Sequence, residues 1–337
     1  MPRRARRLPA FRFAMALALA GLGLVATAAA QGTKPKAKPA GYHLVRTLPI
    51  GGAEPPSAFT IDGAAGRIYV VRSTEVAVLE TATGKEVGSM SFPESRHAVA
   101  LAPDLKLGFV SHAASDALTA FDLATAVPTF EAKTGGGPTS ACYDASLQRV
   151  FTVNEKSCDV TAIDAKSGAV LGSVALGAPP GEAAGDGKGR LYVANVQKNE
   201  VVVVDLKKLE VAKRFPVEPQ KLLRGIAVDP ASHRLFLGVA EDQLAVVSAE
   251  SGKSVATLLL RREVRAVAFD PGTQCLLART GDRSLSVIHL DSPDRFTVVE
   301  HVATDAASPL FALDPKSHEV ALLTGAAGEL QIQIYGK

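Results

Sequence analysis

The 337-residue chain is poor in the residues from which small reactive sites are usually assembled. Cysteine occurs three times, at Cys142, Cys158 and Cys275, and no CxxCH is present that could attach a haem. Seven histidines are scattered with no two at metal-ligand spacing, and no carboxylate run resembles a calcium-binding loop, so neither a metal nor a cofactor is expected. GAAGR, GGGP and DGKGR are glycine-rich, but none opens a helix, which excludes a phosphate loop; GxSxG, the serine-hydrolase elbow, is missing. The longest apolar run, Ala14 to Val25, is too short to span a bilayer. An excess of one charge is missing too. The formal charge of +3 includes five arginines and no acid in the first 30 residues, so without that segment it becomes −2 and a uniformly basic nucleic-acid surface is not indicated.

Those first 30 residues have the layout of a secretory signal: Arg3, Arg4, Arg6, Arg7 and Arg12, the apolar run, then Ala28-Ala29-Ala30. Cleavage near Ala30 would leave a periplasmic or secreted protein with no membrane span. Residues 31–41, rich in Lys, Pro and Gly, read as a flexible linker. An odd number of cysteines in an exported chain leaves at least one free. Cys142 falls on the first strand of its repeat and Cys158 at the start of the third, too far apart for a bridge, so free thiols packed as small hydrophobes are expected.

What the chain has in abundance is repetition. TIDGAAGRIYV, ALAPDLKLGFV, CYDASLQRVFT, AGDGKGRLYVA, AVDPASHRLFL, AFDPGTQCLLA and ALDPKSHEVAL share an apolar stretch, a turn and a second apolar burst. The turn falls at Asp62, Ala102, Asp144, Asp186, Asp229, Asp270 and Asp314, a mean period of about 42 residues. With four strand-like bursts per unit, a to d, this predicts an all-β, seven-bladed propeller with four-stranded antiparallel blades. Six units run 57–95, 97–136, 139–180, 181–220, 223–263 and 264–307. The seventh supplies only PLFALD, EVALLT and ELQIQIY, and YHLVRTLPIGG from Tyr42 to Gly52 has the pattern of its missing outer strand. Residues 42–337 therefore form one domain whose last blade is closed by the N-terminal strand, leaving no exposed edge there.

RIYVV, RLYVAN, the strand endings LTAFD, VTAID and VVVVD, and the turns DAKSGA and ETATGK resemble the exported bacterial YVTN-type, or YncE-like, seven-bladed propellers. The resemblance spans the chain from residue 42 and weakens in blades 2, 6 and 7, where LGFVSH, LLART and VALLT replace the tyrosine-bearing strand. It implies a toroidal domain outside the cytoplasm and lends no general reaction. Tryptophan is absent, which argues against the Trp-marked blades of quinone-dependent dehydrogenases.

Aligning the blades maps the channel mouth, the face where loops entering strand a meet the b–c turns. Strand a begins at Ser57, His97, Thr139, Gly181, Arg224, Arg265 and Pro309, with Arg96 and Glu182 alongside; strand b ends at Arg72, His112, Asn154, Asn195, Val239, Thr280 and Thr324. The candidate ligand-binding set is Arg72, Arg96, His97, His112, Asn154, Glu182, Asn195, Arg224 and Arg265, with Arg224 and Arg265 placed to fork onto a carboxylate or phosphate. A solvated rim, with an arginine paired to Glu182, fits the same residues. His233 and His318 fall in a–b turns on the opposite face and read as exposed, and His289 joins Glu80, Asp122, Asp164 and Asp205 at positions that cap c–d turns.

Two functions fit. One is a monomeric, non-enzymatic propeller that binds a partner protein or small anionic ligand at its mouth. The other is a lactonase-like hydrolase in which His97, Arg224, Arg265 and Glu182 polarise a carbonyl and activate water. No catalytic residue is assigned.

Overall fold

The computed structural model describes residues 41–337 apart from 52–53, 93–97, 219–222, 240 and 326–328. Seven four-stranded antiparallel sheets follow one another along the chain, and in each the strands lie in the order a-b-c-d. Blade 5 is representative, with strands Leu223–Asp229, Arg234–Val239, Gln243–Ser248 and Ser254–Leu259. Blades 4 and 7 have the shortest strands a, Ala183–Gly185 and Phe311–Leu313, and blade 6 the longest outer hairpin, Ser284–Ser292 with Arg295–Ala303.

Alternation along each inner strand sends successive side chains to opposite neighbours. In blade 1, Ile68 and Val70 pack toward blade 7, whereas Tyr69 and Val71 pack toward blade 2. Seven apolar clusters result, one between each pair of adjacent blades. Each Val, Leu or Ile so enclosed contributes about 1.5–3 kcal/mol.

The ring closes where the sequence indicates. His43–Pro49 pairs antiparallel with Gln331–Gly336, from His43 opposite Gly336 to Pro49 opposite Gln331. Ile50 N donates to the Leu330 carbonyl at 3.0 Å, and Leu48 and Ile50 are buried. Arg46 holds Glu319 bidentately at 2.9 and 2.7 Å and reaches the Thr81 carbonyl of blade 1 at 3.0 Å.

The basic residue that opens many b strands ties a blade to its successor. Arg67 donates to the Leu123 and Ala124 carbonyls, Arg149 to the Leu206 carbonyl at 3.2 Å, and Arg234 to the Pro293 carbonyl at 3.0 Å while pairing with Asp294 at 2.6 Å. The repeated turn aspartates act on the same face. Asp144 accepts from the Gly189 amide of blade 4 at 2.8 Å, and Asp270 accepts from His318 of blade 7 at 2.9 Å. His318 is therefore an inter-blade partner of a buried carboxylate and not simply an exposed turn residue. His233 is the more exposed of the two, 4.0 Å from Glu250. Asp122, Asp164 and Asp205 cap their c–d turns by accepting from turn amides at 2.8 to 3.1 Å, and His289 bonds to Asp291 at 2.9 Å.

The cysteines are free. Cys275 is buried and the other two are half-buried; burial, then the nearby Asp144, pushes the Cys142 thiol up to about 12.

Candidate functional site: the channel mouth at blades 4 to 6

The nine candidate residues separate by where their side chains are spent. Those at the ends of strand b turn inward to satisfy the b–c hairpins. His112 is buried, bonds to Thr119 Oγ1 at 2.6 Å and meets the Phe92 ring edge-on. Asn154 is fully buried and donates to Asp159 at 2.5 Å and Thr161 at 2.8 Å. Asn195 accepts the Lys198 amide and donates to Glu200, both at 3.3 Å. Arg72 pairs with Glu75 and donates to the Ile50 carbonyl, bracing the ring closure. Arg96 and His97 lie outside the described residues.

Arg224, Arg265 and Glu182 come together. In blade 6 Val264 pairs with Thr280 and Ala266 with Arg279, which leaves Arg265 as the extra residue of a β-bulge. Blade 5 slips one residue later, between Arg224 and Ile226, so that Arg224 still pairs with Gly238 and Gly225 is the extra residue. Bulges of this kind re-aim side chains at sheet ends. Here both arginines line one cavity of about 670 Å³ with Arg262, Glu263 and the b–c turn acids Glu241, Asp242 and Asp282. On the channel side they line a second cavity, about 500 Å³, with Glu182 and Pro309.

Gly225 makes this proximity possible. Its φ is +71°, and a Cβ there would sit 3.1 Å from Ala266 Cα and 3.2 Å from Val267 N of blade 6. Only glycine combines that backbone with so close an approach.

Charges at the site are unevenly compensated. Arg224 pairs with Glu263 at 3.1 Å, not with Glu182. Arg265 has no ion pair among the described residues. Glu182 projects into the channel, where water reaches it but protein surrounds it; this desolvation raises its carboxyl above the usual range, partly offset by the Ile226 amide. Burial also works against the charge of Asp282, yet hydrogen bonds from the Thr280 and Ser284 hydroxyls outweigh it and hold the carboxyl below its ordinary value.

One residue escaped the sequence reading. Arg279 is buried, and it donates to the carbonyls of Thr280 at 3.2 Å, Ser284 at 2.9 Å and Ala306. It has no carboxylate partner among the described residues. Burial, then Arg265, lowers its pKa. The blade alignment holds the signal: the penultimate residue of strand b is Val71, Ser111, Val153, Ala194, Gly238 and Leu323 elsewhere, and only blade 6 has a cation there.

Residues 51–214, from blade 1 into blade 4, match the family model described as outer membrane protein assembly factor BamB. No curated protein matches significantly. Among solved structures, a chain of Kuenenia stuttgartiensis hydrazine synthase is similar with a TM-score of 0.70 and 14% identity, covering 82% of this chain and 94% of that one. A chain of a mitotic checkpoint complex is similar with a TM-score of 0.76 and 14% identity, covering 98% and 99%. At such identity these likenesses show the fold alone.

Proposed function

We propose that the protein is an exported, monomeric, non-enzymatic propeller of the YVTN type that binds an anionic group, from a partner protein or a small ligand, at the mouth formed by Arg224 and Arg265. One observation carries the reading: adjacent bulges bring two arginines to one cavity, and Arg265 lacks an ion pair among the described residues. A guanidinium so placed offers a charge-assisted fork to a carboxylate or phosphate. The match to a model described as an assembly factor of outer membrane proteins supports a binding scaffold in the cell envelope, in keeping with the signal-like first 30 residues. Among the described residues no helix is long and apolar enough to cross a membrane.

The test is a thermal-shift screen of the chain from Gln31 against organic anions, sugars and metals, since a ligand selective for the native state raises its stability. Replacing Arg224 or Arg265 with Ala should cost about 1.5–3 kcal/mol of anion binding, and His233→Ala on the far face should cost nothing. Unchanged binding in the double arginine variant refutes the site. The lactonase-like alternative draws on Glu182, whose raised carboxyl lines the cavity with both arginines. It requires lactone turnover that Glu182→Gln abolishes.

A further inference from the structure

Glu182 and Arg265 line the same cavity and carry opposite charges, yet among the described residues neither has an ion-pair partner. Arg224, beside them, is taken by Glu263 at 3.1 Å. A carboxylate in surroundings that desolvate it gains most from a cation, and the protein gives Glu182 only the Ile226 amide. The neighbouring charges are sorted to opposite sides. Glu182 also lines an adjoining chamber of about 570 Å³ with Glu155 and the Thr139 and Ser140 hydroxyls of blade 3, and among the described residues no cation lines that space. Arg265 stands with Arg224 on the other side, on the strands a of blades 6 and 5. Acids also lie beyond the arginines, but Glu263 is held by Arg224, and Asp282 by the Thr280 and Ser284 hydroxyls, each at 2.7 Å. The mouth is therefore bipolar, acidic toward blades 3 and 4 and basic toward blades 5 and 6.

We infer that the ligand is an amino acid zwitterion, its carboxylate held by Arg265 with Arg224 alongside and its ammonium held by Glu182, with Glu155, Thr139 and Ser140 behind it. This deepens, and rests on, the reading of the mouth as an anion site. A simple anion satisfies one of the two unpaired groups and meets a like charge in the other. A zwitterion satisfies both and brings no net charge into the channel, so Glu182, which opposes an anion, becomes part of the binding site.

Calorimetric titration of the chain from Gln31 tests this by comparing glycine, 4-aminobutanoate and 6-aminohexanoate with acetate, butanoate and hexanoate, the acids of the same length without the ammonium. At least one amino acid should bind about tenfold more tightly than its matched acid, as expected for one added charge-assisted contact. Glu182→Gln should erase that advantage, weakening the amino acid while leaving the plain acid as tight or tighter, and Arg265→Ala should lose both. Amino acids that bind no better than their matched acids, all abolished by Arg265→Ala, overturn the zwitterion while the anion site stands; the unmodified protein decides this even if Glu182→Gln fails to fold. An advantage that survives Glu182→Gln overturns the assignment to Glu182, and its loss in Asp242→Asn would place the ammonium in the outer cavity instead. Butylammonium binding as tightly as 4-aminobutanoate overturns the part given to the arginines. No binding by any amino acid or acid overturns both readings.

Discussion

Replacing Gly225 with Ala separates two consequences of one missing methyl group. The backbone at +71° costs an L-residue about 1 kcal/mol, and the new Cβ would press on Ala266 and Val267 at 3.1 and 3.2 Å. Those atoms are backbone of a paired strand and cannot swing aside, so overpacking should add about 1–3 kcal/mol. The sum, about 2–4 kcal/mol, corresponds in a domain of this size to a fall in Tm of roughly 3–6 °C. Gly187→Ala is the control. Gly187 has φ +64° and nothing within 4 Å of the added Cβ, so it should show the conformational cost alone, roughly 1–2 °C. Scanning calorimetry reads both, and an anion titration reads whether displaced bulges part Arg224 from Arg265. If the two variants melt together and Gly225→Ala binds anions normally, close blade contact does not set the mouth.

Other expectations follow from closure, burial and charge. Deleting 42–49 should lower Tm by on the order of 10 °C, since it uncovers strand c of blade 7 and removes buried Leu48, whereas deleting 31–41 should leave Tm nearly unchanged; equal effects would count against closure. Arg279→Ala should cost about 3–5 kcal/mol by denaturant titration, because it leaves a cavity and strands the Thr280, Ser284 and Ala306 carbonyls; a loss under 1 kcal/mol would mean they find water. Glu182 holds its proton more tightly folded than unfolded, so its contribution to stability falls as pH rises from the unfolded carboxyl range toward the raised folded value. Glu182→Gln should flatten that slope in pH-dependent melts and, by removing a like charge, strengthen anion binding above it; an unchanged slope would place the carboxyl in ordinary solvent.

The ring, its seven blades and its closure were legible because the turn position recurs with fixed spacing and, apart from Ala102 in blade 2, holds an aspartate that accepts an amide of its own turn. The mouth was legible only in part. Both faces of an inner strand pack on neighbouring blades, so runs such as RLYVAN or VVVVD are apolar throughout and carry no alternation to tell core from channel. That is why His112, Asn154 and Asn195, aligned correctly at the ends of strand b, gave no sign that their side chains fold back into hairpins. Bulges are also silent in the alignment. One extra residue moves Arg265 out of the ladder, and nothing in the letters VRAVAFD marks the slip. Arg279 was different, since its column of otherwise small or apolar residues already singled it out.

Because strand d of blade 7 runs antiparallel to the last strand, Tyr42 and Lys337 lie side by side, the lysine ammonium 5.4 Å from the tyrosine ring centre. Tyr42 also bonds to the His318 carbonyl at 3.1 Å, on the face of the a–b turns and away from the arginines. Any attachment made through either of these residues therefore leaves the mouth facing outward, and a protein anchored to a sensor surface at Lys337 would present Arg224 and Arg265 to solution. Tension applied at Tyr42 would load the first pair of the closing ladder, His43 against Gly336, and open it like a zipper, so the site where the ring is sealed is also where a pulling force would break it first.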